Sequence, residues 1–409
     1  MNSYKNDLLN TETFKHIRTW LQLPFHSKEQ GEDIHLKGEL EKYSKPQPGS
    51  HRIRGVAGSG KTLVVACRAA RLAELDKENK ILIVSYNKTL VHYIKDMIKR
   101  TPFEFYTTQI VCTHFHGLCK DLLNELEYPK PKFFFLKCVV PAIEYALKNA
   151  SHTGLSTDEL KYDAILIDKA QDFKAEWIDL LRKFQKGRKE FLIVCDEAQN
   201  IYERNIKWTD NIGIKKGFAG PWGKLPNCIR LPRLIAEEVN RFLTMYLPNV
   251  KLHPIPTQTK LSEFNHILRW ISCESDDEAK NQIEAAYNYL YSEIGQHPTD
   301  IVTLFQCSDM GEEMVKRFEN KNIYVNHDFD DIHKESFWMG DARTKMSTIH
   351  SFKGFELKNV IVVIEFDNPY LIYTAISRSQ ENLIVINRVP KYDEYGKEWQ
   401  NTKSFHVPN

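Results

Sequence analysis

Eight consecutive residues, 55–62, match the phosphate-binding pattern G-x-x-x-x-G-K-[ST] at every fixed position. Glycines in such a loop let successive backbone N–H groups face a phosphate, and the helix that follows adds the positive end of its dipole. Lys61 is expected to neutralise the terminal phosphates, and the Thr62 hydroxyl is expected to bind Mg²⁺. The predicted phosphate-binding residues are Gly55, Val56, Ala57, Gly58, Ser59, Gly60, Lys61 and Thr62.

The residues on either side of this loop have the pattern that phosphate binding requires. A short strand signal centred on Ile53 precedes the loop, and the apolar periodicity of residues 63–75 predicts a helix directly after it. A glycine-rich stretch that merely turns the chain would need neither element. The strand–loop–helix order therefore favours phosphate binding over a plain turn.

A carboxylate follows a later apolar run. Asp168 comes directly after residues 164–167, where an aspartate can hold Mg²⁺ opposite the Thr62 hydroxyl. The next residue is Lys169, at the position where a carboxylate commonly orients or deprotonates the attacking water. A lysine ammonium cannot act as a general base at neutral pH unless its pKa falls by several units. The sequence therefore predicts a nucleotide site with very slow hydrolysis.

Two glutamines each have two interpretations that the sequence leaves open. Gln199 follows the strand-like run 191–195, and it is either a sensor of the γ-phosphate or a loop residue without a role. Gln30 lies upstream of the phosphate-binding loop, and it either reads the edge of an adenine or is an exposed polar side chain.

Short apolar runs separated by helical patterns indicate the elements that position these residues. The runs are residues 81–85, 110–112, 164–167 and 191–195, and the helical patterns are residues 89–99, 115–127 and 176–184. Short runs rich in β-branched residues are typical of strands buried on both faces, and their alternation with helices predicts a parallel, doubly wound α/β sheet. Ligands of such sheets bind at the carboxyl ends of the strands.

A second α/β unit is predicted in the later half of the chain. Its strand candidates are residues 266–272, 300–306, 323–326, 345–348 and 360–364, its helix candidates are 276–294 and 310–320, and residues 327–342 are predicted to be a loop. A proline-rich stretch, 225–256, joins the two halves. The predicted organisation is an N-terminal lead-in over 1–50, a first domain over 51–231 and a second domain over 232–409.

Composition excludes several classes of protein. The chain has 409 residues, of which 42% are hydrophobic and 27% are charged, as is usual for a globular protein with more than one domain. The net charge of +2 does not indicate a nucleic-acid binder, although a local basic groove is compatible with it. The eight cysteines include no C-x-x-C pair, so neither a zinc motif nor a disulfide framework is indicated, and a cytoplasmic location is expected. No apolar run is long enough to predict a membrane span.

Eight segments, in chain order, resemble the conserved motifs of the UvrD/Rep-type superfamily 1 DNA helicases. The segments similar to motifs I, Ia, Ib, II, III, IV, V and VI are residues 55–62, 85–90, 113–116, 168–172, 196–202, 228–232, 348–356 and 373–379. Each motif is short and weak alone, but eight in the family's order are specific. The resemblance implies two RecA-like domains with an ATP cleft between them, and it implies ATP and Mg²⁺ as cofactors.

The resemblance also implies roles for the matching residues. Lys61, Thr62, Asp168 and Gln199 would serve the phosphates and the metal, with Lys169 at the catalytic position, and Glu356 would contact the ribose. Arg230 and Arg378 would contact the γ-phosphate as arginine fingers, since a guanidinium meets phosphate oxygens in a bidentate manner and keeps its charge. The residues expected along a single strand of nucleic acid are Tyr86, Asn87, Thr113, His114, His350 and Ser351.

The chain departs from the family pattern at informative positions. Lys169 replaces the catalytic glutamate, and Ile229 stands where many members stack a tyrosine on the adenine. The large accessory insertion called 2B is expected to be absent, which puts processive strand separation in doubt. Because the rest of motif II is intact, a single introduced substitution at Lys169 is favoured over long decay.

Two functions of different classes are compatible with these observations. The first is an ATP-dependent helicase or translocase on single-stranded DNA, with RNA as an alternative substrate and with hydrolysis impaired by Lys169. The second is a nucleotide-gated DNA-binding or scaffold protein that serves a partner nuclease. Neither function involves a membrane.

Overall fold

A computed structural model describes residues 34–126, 128, 139–153, 157–199, 217–218, 221–250, 254–256 and 266–399. The chain divides into two compact units. The described residues from 34 to 229, with 250, 254 and 255, belong to the N-terminal unit, and the described part of the C-terminal unit contains residues 230–249, 256 and 266–399. Two short strands, β7 (Asn227–Cys228) and β8 (Ile255–Pro256), lie in the segments where the chain passes between the units.

The N-terminal unit contains a parallel sheet of six strands. The strands are β1 (Gly49–Gly55), β2 (Ile81–Ser85), β3 (Ile110–His114), β4 (Tyr162–Ile167), β5 (Gln185–Cys195) and β6 (Gly223–Leu225), and their order in the sheet is β3-β2-β4-β5-β1-β6. Every residue of β2 and β4 is buried, as expected for strands covered on both faces. Because all strand pairs are parallel, the residues that follow β1, β4 and β5 meet at one edge.

Helices cover both faces of this sheet. They are α1 (Glu39–Ser44), α2 (Lys61–Leu75), α3 (Leu90–Lys99), α4 (Phe115–Glu125), α5 (Val139–Thr153) and α6 (Ala175–Lys183). One apolar core contains Val65 of α2 and Ile94 of α3. A second core contains Phe115 of α4, Ile143 of α5 and Trp177 of α6. The two cores make this unit a doubly wound layer structure.

The C-terminal unit contains a second parallel sheet of six strands. The strands are β9 (Leu268–Ser272), β10 (Ile301–Phe305), β11 (Val325–His327), β12 (Thr344–Thr348), β13 (Leu357–Ile364) and β14 (Ser379–Asn387), in the order β11-β12-β10-β13-β14-β9. The sequence predicted the first five of these strands within a few residues, but it did not predict β14, which pairs with both β13 and β9.

The described helices of the C-terminal unit flank its sheet. They are α7 (Arg233–Tyr246), α8 (Asp276–Asn288), α9 (Ser308–Glu319), α10 (Asp331–Ser336), α11 (Ile349–Phe352), α12 (Pro369–Ile376) and α13 (Asp393–Lys397). The prediction of a loop over 327–342 is wrong at α10, which Asp330 caps by accepting the backbone N–H of His333 at 2.9 Å.

The two units confirm the predicted fold class. Each is an α/β structure with a parallel sheet between helices, and the pair agrees with two RecA-like domains. In the part of the chain that the structure describes, no helix combines the length and the apolar content that crossing a bilayer requires.

A buried ion pair joins α2 to β5 in the N-terminal unit. The side chains of Arg68 and Glu190 are 1% and 4% exposed, and Arg68 Nε donates to Glu190 Oε1. Arg68 Nη1 also donates to the carbonyl of Tyr43 at 3.0 Å, and Glu190 Oε2 accepts the N–H of Gln47 at 2.9 Å. The pair therefore attaches the segment before β1 to the sheet and to the helix that follows the phosphate-binding loop.

Replacing Arg68 by alanine leaves the Glu190 carboxylate buried without its cation. We expect R68A to lower the free energy of unfolding by about 3–5 kcal/mol, as is typical when one partner of a buried pair is removed. Urea denaturation measures the loss of unfolding free energy. Faster hydrogen exchange of the β5 amides would show that the N-terminal unit is the part destabilised.

The matched control is Lys161→Ala in the same unit, which removes an ion pair of 2.7 Å with Asp158, whose side chain is 80% exposed. K161A should leave the denaturation midpoint unchanged because solvent screens such pairs. If R68A were as stable as K161A, the buried pair would add nothing to this unit.

Candidate functional site

The phosphate-binding loop connects β1 to α2, and all of its residues from Gly55 to Thr62 are buried. Gly58 and Gly60 have φ angles of 66° and 82°, in the left-handed region that side chains other than glycine rarely adopt. A Cβ atom on Gly55 would lie 2.5 Å from Ser59 Oγ and 2.9 Å from Lys61 Cγ, so a side chain there would displace both residues. The sequence pattern thus corresponds to real backbone requirements.

Backbone hydrogen bonds hold the loop to the segment after β6. Val56 donates its N–H to the carbonyl of Leu225 at 3.2 Å, and Gly58 accepts the N–H of Ile229 at 3.1 Å. A Cβ on Gly60 would lie 3.3 Å from Ile229 Cδ1. Ile229 therefore packs beside the loop itself.

Lys61 is a buried cation with several acceptors around it. Its Nζ donates to the carbonyl of Gly55 at 3.0 Å, to the carbonyl of Val56, and to Asp196 Oδ2 at 3.3 Å. The side chains of Lys61 and Asp196 are each 3% exposed. A buried ammonium needs such partners because it loses its hydration shell.

Thr62 and Asp168 are brought together as the sequence predicted for a metal site. Thr62 Oγ1 donates to Asp168 Oδ2 at 3.0 Å, and both residues are buried. A hydroxyl beside a carboxylate is a donor set that suits Mg²⁺, which prefers oxygen ligands. Ser59 Oγ is buried in the same loop without a hydrogen-bond partner among the described residues, as expected of an atom that a phosphate would satisfy. These residues fit a Mg²⁺-bound nucleotide.

Two residues that the sequence did not assign to the site complete this network. Asp196 Oδ1 accepts the N–H of Ala198 at 3.2 Å, and its other oxygen binds Lys61 as described. Gln171 Oε1 accepts the N–H of Asp196 at 3.1 Å, which connects the motif after β4 to the turn after β5. A signal for Asp196 existed, because it follows an apolar run just as Asp168 does.

Lys169 has an unusual backbone conformation. Its φ of 58° is left-handed, which is uncommon for a residue with a side chain and is often found at functional sites. Its N–H donates to Asp168 Oδ1 at 3.0 Å, and the residue is 6% exposed. The position that would carry a general base therefore holds a buried lysine, next to the carboxylate that would hold the metal.

Of the two glutamines, only one lies in the described part of the chain. Gln199 ends the short turn Glu197–Gln199 after β5, is 1% exposed, and donates its N–H to the carbonyl of Asp196 at 3.2 Å. It therefore belongs to the same strand-end network as Asp196. Gln30 lies outside the described residues.

The candidate nucleotide-contacting residues of the C-terminal unit lie together. Arg230 Nη1 donates to Glu356 Oε2 at 3.1 Å, and Gln380 Nε2 donates to the same oxygen at 3.3 Å. Burial raises the pKa of Glu356, but Arg230 and Arg378 outweigh it, so the pKa lies below its ordinary value. Glu356 is therefore ionised near neutral pH, and Gln380 is a partner that the sequence did not indicate.

Arg378 is almost completely enclosed, with 2% exposure. Its Nε donates to the carbonyl of Thr374 at 2.8 Å, its Nη2 to Ser377 Oγ at 2.8 Å and its Nη1 to the carbonyl of Phe355 at 3.4 Å. These bonds hold the guanidinium between the end of α12 and the segment before β13.

Two candidate nucleic-acid residues follow β2. The ring of Tyr86 stacks on Trp177 with centroids 6.0 Å apart, so one face of the ring is covered by protein. Asn87 Oδ1 accepts hydrogen bonds from the N–H and the hydroxyl of Thr89, at 3.3 and 3.0 Å, just before α3. Both Tyr86 and Asn87 remain partly exposed.

Two more candidates end the neighbouring strand. Thr113 and His114 close β3, and His114 is in register with Ser85 at the end of β2. A Cβ on Gly117 would lie 2.8 Å from the His114 ring, so glycine lets the imidazole pack there. Burial lowers the pKa of His114, and the charges of His116 and Lys88 lower it further. His114 is therefore neutral at pH 7.

The last two candidates lie in the C-terminal unit. His350 and Ser351 are residues of α11, and the N–H of Ser351 donates to the capping hydroxyl of Thr348 at 3.2 Å. Burial lowers the pKa of His350, and the charge of Lys353 adds to the effect. Both residues are partly exposed at the carboxyl end of β12.

The structure thus groups the predicted residues by unit. One edge of the N-terminal sheet carries Lys61, Thr62, Asp168, Lys169 and Gln199. At the same edge Tyr86 and Asn87 follow β2, and Thr113 and His114 end β3. In the C-terminal unit, Arg230 and Arg378 both act on Glu356.

Comparison with known proteins supports the first of these groups. Residues 46–205 match the family described as an AAA domain, which is a P-loop nucleotide-binding domain. The match begins just before β1 and includes the phosphate-binding loop, Asp168 and Gln199. A search of curated proteins finds no match to the chain. The segment is therefore a nucleotide-binding domain of the P-loop type.

Gly60→Ala tests the backbone of the loop. We expect G60A to lower the free energy of unfolding by more than about 1 kcal/mol, because alanine is strained at a φ of 82° and its Cβ would lie 3.0 Å from Leu40. It should also weaken nucleotide binding at least tenfold, since the loop must shift. Equilibrium titration with a fluorescent ATP analogue measures the affinity.

Gly187→Ala is the matched control in the same unit. Gly187 also has a positive φ, of 60°, but a Cβ there would meet no atom within 4 Å. G187A should therefore show the backbone strain without the loss of affinity. Equal nucleotide affinity in the two variants would show that the loop does not take part in nucleotide binding.

Proposed function

We propose that this protein is an ATP-driven motor on single-stranded nucleic acid, of the UvrD/Rep type, whose hydrolysis step is impaired by Lys169. The observation that carries the proposal is the bond between Thr62 and Asp168 beside the buried Lys61, in a loop of the P-loop type. The motifs of the C-terminal unit extend the resemblance beyond nucleotide binding alone.

Binding of ATP follows from the charges of the N-terminal site. Lys61 would exchange its carbonyl partners for phosphate oxygens, and the backbone N–H groups of the glycine loop would hold the same phosphates. Thr62 and Asp168 would hold Mg²⁺, which when bound neutralises charge on the β- and γ-phosphates. Gln199 would contact the γ-phosphate, and its N–H bond to the carbonyl of Asp196 connects it to the network around that residue.

The roles proposed for the C-terminal unit rest on the resemblance and on local chemistry. Arg230 and Arg378 would contact the γ-phosphate, and Glu356 would contact the ribose. The Glu356 carboxylate accepts a hydrogen bond from Arg230, and the charges of Arg230 and Arg378 hold its pKa below the ordinary value despite its burial. An anionic ligand that competes for Arg230 would change this contact, which is the differential interaction that a nucleotide switch requires.

Nucleic-acid binding is proposed for the strand-end residues of both units. Hydroxyl, amide and neutral imidazole groups bind phosphate and sugar without reading sequence, and aromatic rings stack on bases. The lowered pKa of His114 and of His350 agrees with such neutral contacts. Single-stranded DNA is the expected ligand, and RNA is the alternative that binding assays must compare.

A second candidate is supported by Lys169 itself. A buried lysine in place of the general base favours a protein that binds ATP without hydrolysing it. Such a protein would serve as a nucleotide-gated DNA-binding scaffold for a partner such as a nuclease. The two candidates differ in a measurable property, which is turnover after the base is restored.

Lys169→Glu supplies the missing carboxylate. We expect the unaltered protein to bind ATP with slow turnover, and K169E to raise kcat in the presence of single-stranded DNA by at least about 100-fold, the usual contribution of a general base. Release of inorganic phosphate measures turnover, and displacement of a tailed duplex measures motor activity.

Lys169→Gln is the control, since it removes the positive charge without adding a base. It should bind ATP as K169E does and hydrolyse it slowly. Brisk turnover by the unaltered protein would refute the impaired-hydrolysis proposal. Absence of any gain in K169E, with ATP binding intact, would favour the scaffold candidate.

Arg230→Ala tests the arginine role in the K169E background. We expect kcat to fall by about 1,000-fold, as is typical when an arginine finger is removed, while the affinity for ATP changes little. The matched control is Arg233→Ala, because Arg233 is 74% exposed and pairs with Glu237 on the surface of α7. Similar kcat values for the two variants would exclude Arg230 from catalysis.

A further inference from the structure

Three side chains with metal-binding groups meet in the C-terminal unit, and none of them has a role in the function proposed above. They are His327, Asp330 and His333, and each offers one nitrogen or oxygen atom within 4.8 Å of the others. β11 ends at His327, Asp330 caps α10, and His333 is the third residue of that helix. The turn between strand and helix therefore brings two imidazoles and a carboxylate to one point.

Asp330 and His333 are already bonded to each other. His333 Nδ1 and Asp330 Oδ2 are 2.6 Å apart, and Asp330 Oδ1 accepts the backbone N–H of His333 at 2.9 Å. Helix capping is sufficient to explain Asp330. It does not explain why a second imidazole, that of His327, stands against this pair.

His327 is held in place by its neighbours. Its ring lies between those of His333 and Phe329, with centroid distances of 4.0 and 5.4 Å. Phe329 is itself buried against Phe305, so the His327 ring is supported from the core. Its Nδ1 atom is shielded from solvent and has no hydrogen-bond partner among the described residues. A buried polar atom of this kind requires an explanation, and a bound ion supplies one.

We infer that His327, Asp330 and His333 form a binding site for a divalent transition-metal ion of the zinc type. Two imidazole nitrogens and one carboxylate oxygen are a usual ligand set for Zn²⁺, whereas Mg²⁺ and Ca²⁺ prefer oxygen ligands only. The side chains of His333 and Asp330 are 49% and 51% exposed, so water completes the tetrahedron. Ligand atoms about 2.0 Å from a tetrahedral ion lie about 3.3 Å apart, and the ligand atoms of the three residues lie within 4.8 Å of one another.

The backbone of the ligand loop is fixed independently of any ion. Asp328, between the first two ligands, is fully buried, and it accepts the Ser347 hydroxyl at 2.7 Å and the N–H of Thr348 at 3.3 Å. These bonds attach the loop to the end of β12. A loop that is already ordered lowers the entropic cost of binding, so the site does not need the ion in order to form.

Calorimetric titration with Zn²⁺ tests the site, with saturating Mg²⁺ present to occupy the Thr62–Asp168 position. We expect one Zn²⁺ per chain, and visible absorption bands of tetrahedral Co²⁺ when that ion is used instead. His333→Gln and His327→Gln should each weaken Zn²⁺ binding at least about tenfold. Because His333 is half-exposed, H333Q should fold normally. If H327Q does not fold, the Zn²⁺ affinity of H333Q alone tests the site.

His92→Gln is the matched control, since it removes an exposed histidine from α3 in the other unit. H92Q should bind Zn²⁺ as the unaltered protein does. Absence of Zn²⁺ binding by the unaltered protein, or binding that H333Q leaves unchanged, would overturn the inference. Neither result would affect the proposed function, because the affinity for ATP is measured separately.

Discussion

The buried ammonium of Lys61 is the constraint on which the nucleotide site depends. Removing a charge from water is costly, so Asp196 and the loop carbonyls must lie within bonding distance of it. Asp196 follows β5 and Lys61 follows β1, and the two strands are parallel neighbours, with Arg54 opposite Cys195. The bond from Thr62 to Asp168 likewise requires that the end of β4, which pairs with β5, lies close to the phosphate-binding loop. The strand order β4-β5-β1 is therefore a requirement of the chemistry at the strand ends.

A second lysine changes what such a site can do. Lys169 is a second buried lysine near Lys61, and its left-handed backbone donates its N–H to Asp168. A protonated lysine attracts a triphosphate but offers no group that accepts a proton from water. In the proposed function, the affinity for the nucleotide and the rate of its hydrolysis would therefore depend on different residues.

The parts of the fold that depend on local patterns could be predicted from the sequence, and the parts that depend on neighbours could not. The phosphate-binding loop and the buried strands carry their own signals, in glycine spacing and in apolar runs. The first half of β14 is polar, and its Asn382 is buried with its side chain bonded to Asn359 of β13 at 2.7 Å and to the N–H of Ile267 at 2.9 Å. Helix α10 exposes Ile332 to 80%, so it has no apolar face to detect. Likewise, the pairing of Asp196 with Lys61 requires knowing which strands are adjacent.

One backbone hydrogen bond links the phosphate-binding loop to the course of the chain. Ile229 donates its N–H to the carbonyl of Gly58, and the next residue, Arg230, is the first of the segment that belongs to the C-terminal unit. A ligand that turns the Gly58 peptide must stretch or break this bond, and the chain at Ile229 then has to shift. Such a shift would reach Arg230 through the covalent chain, because Ile229 is its immediate neighbour in the sequence.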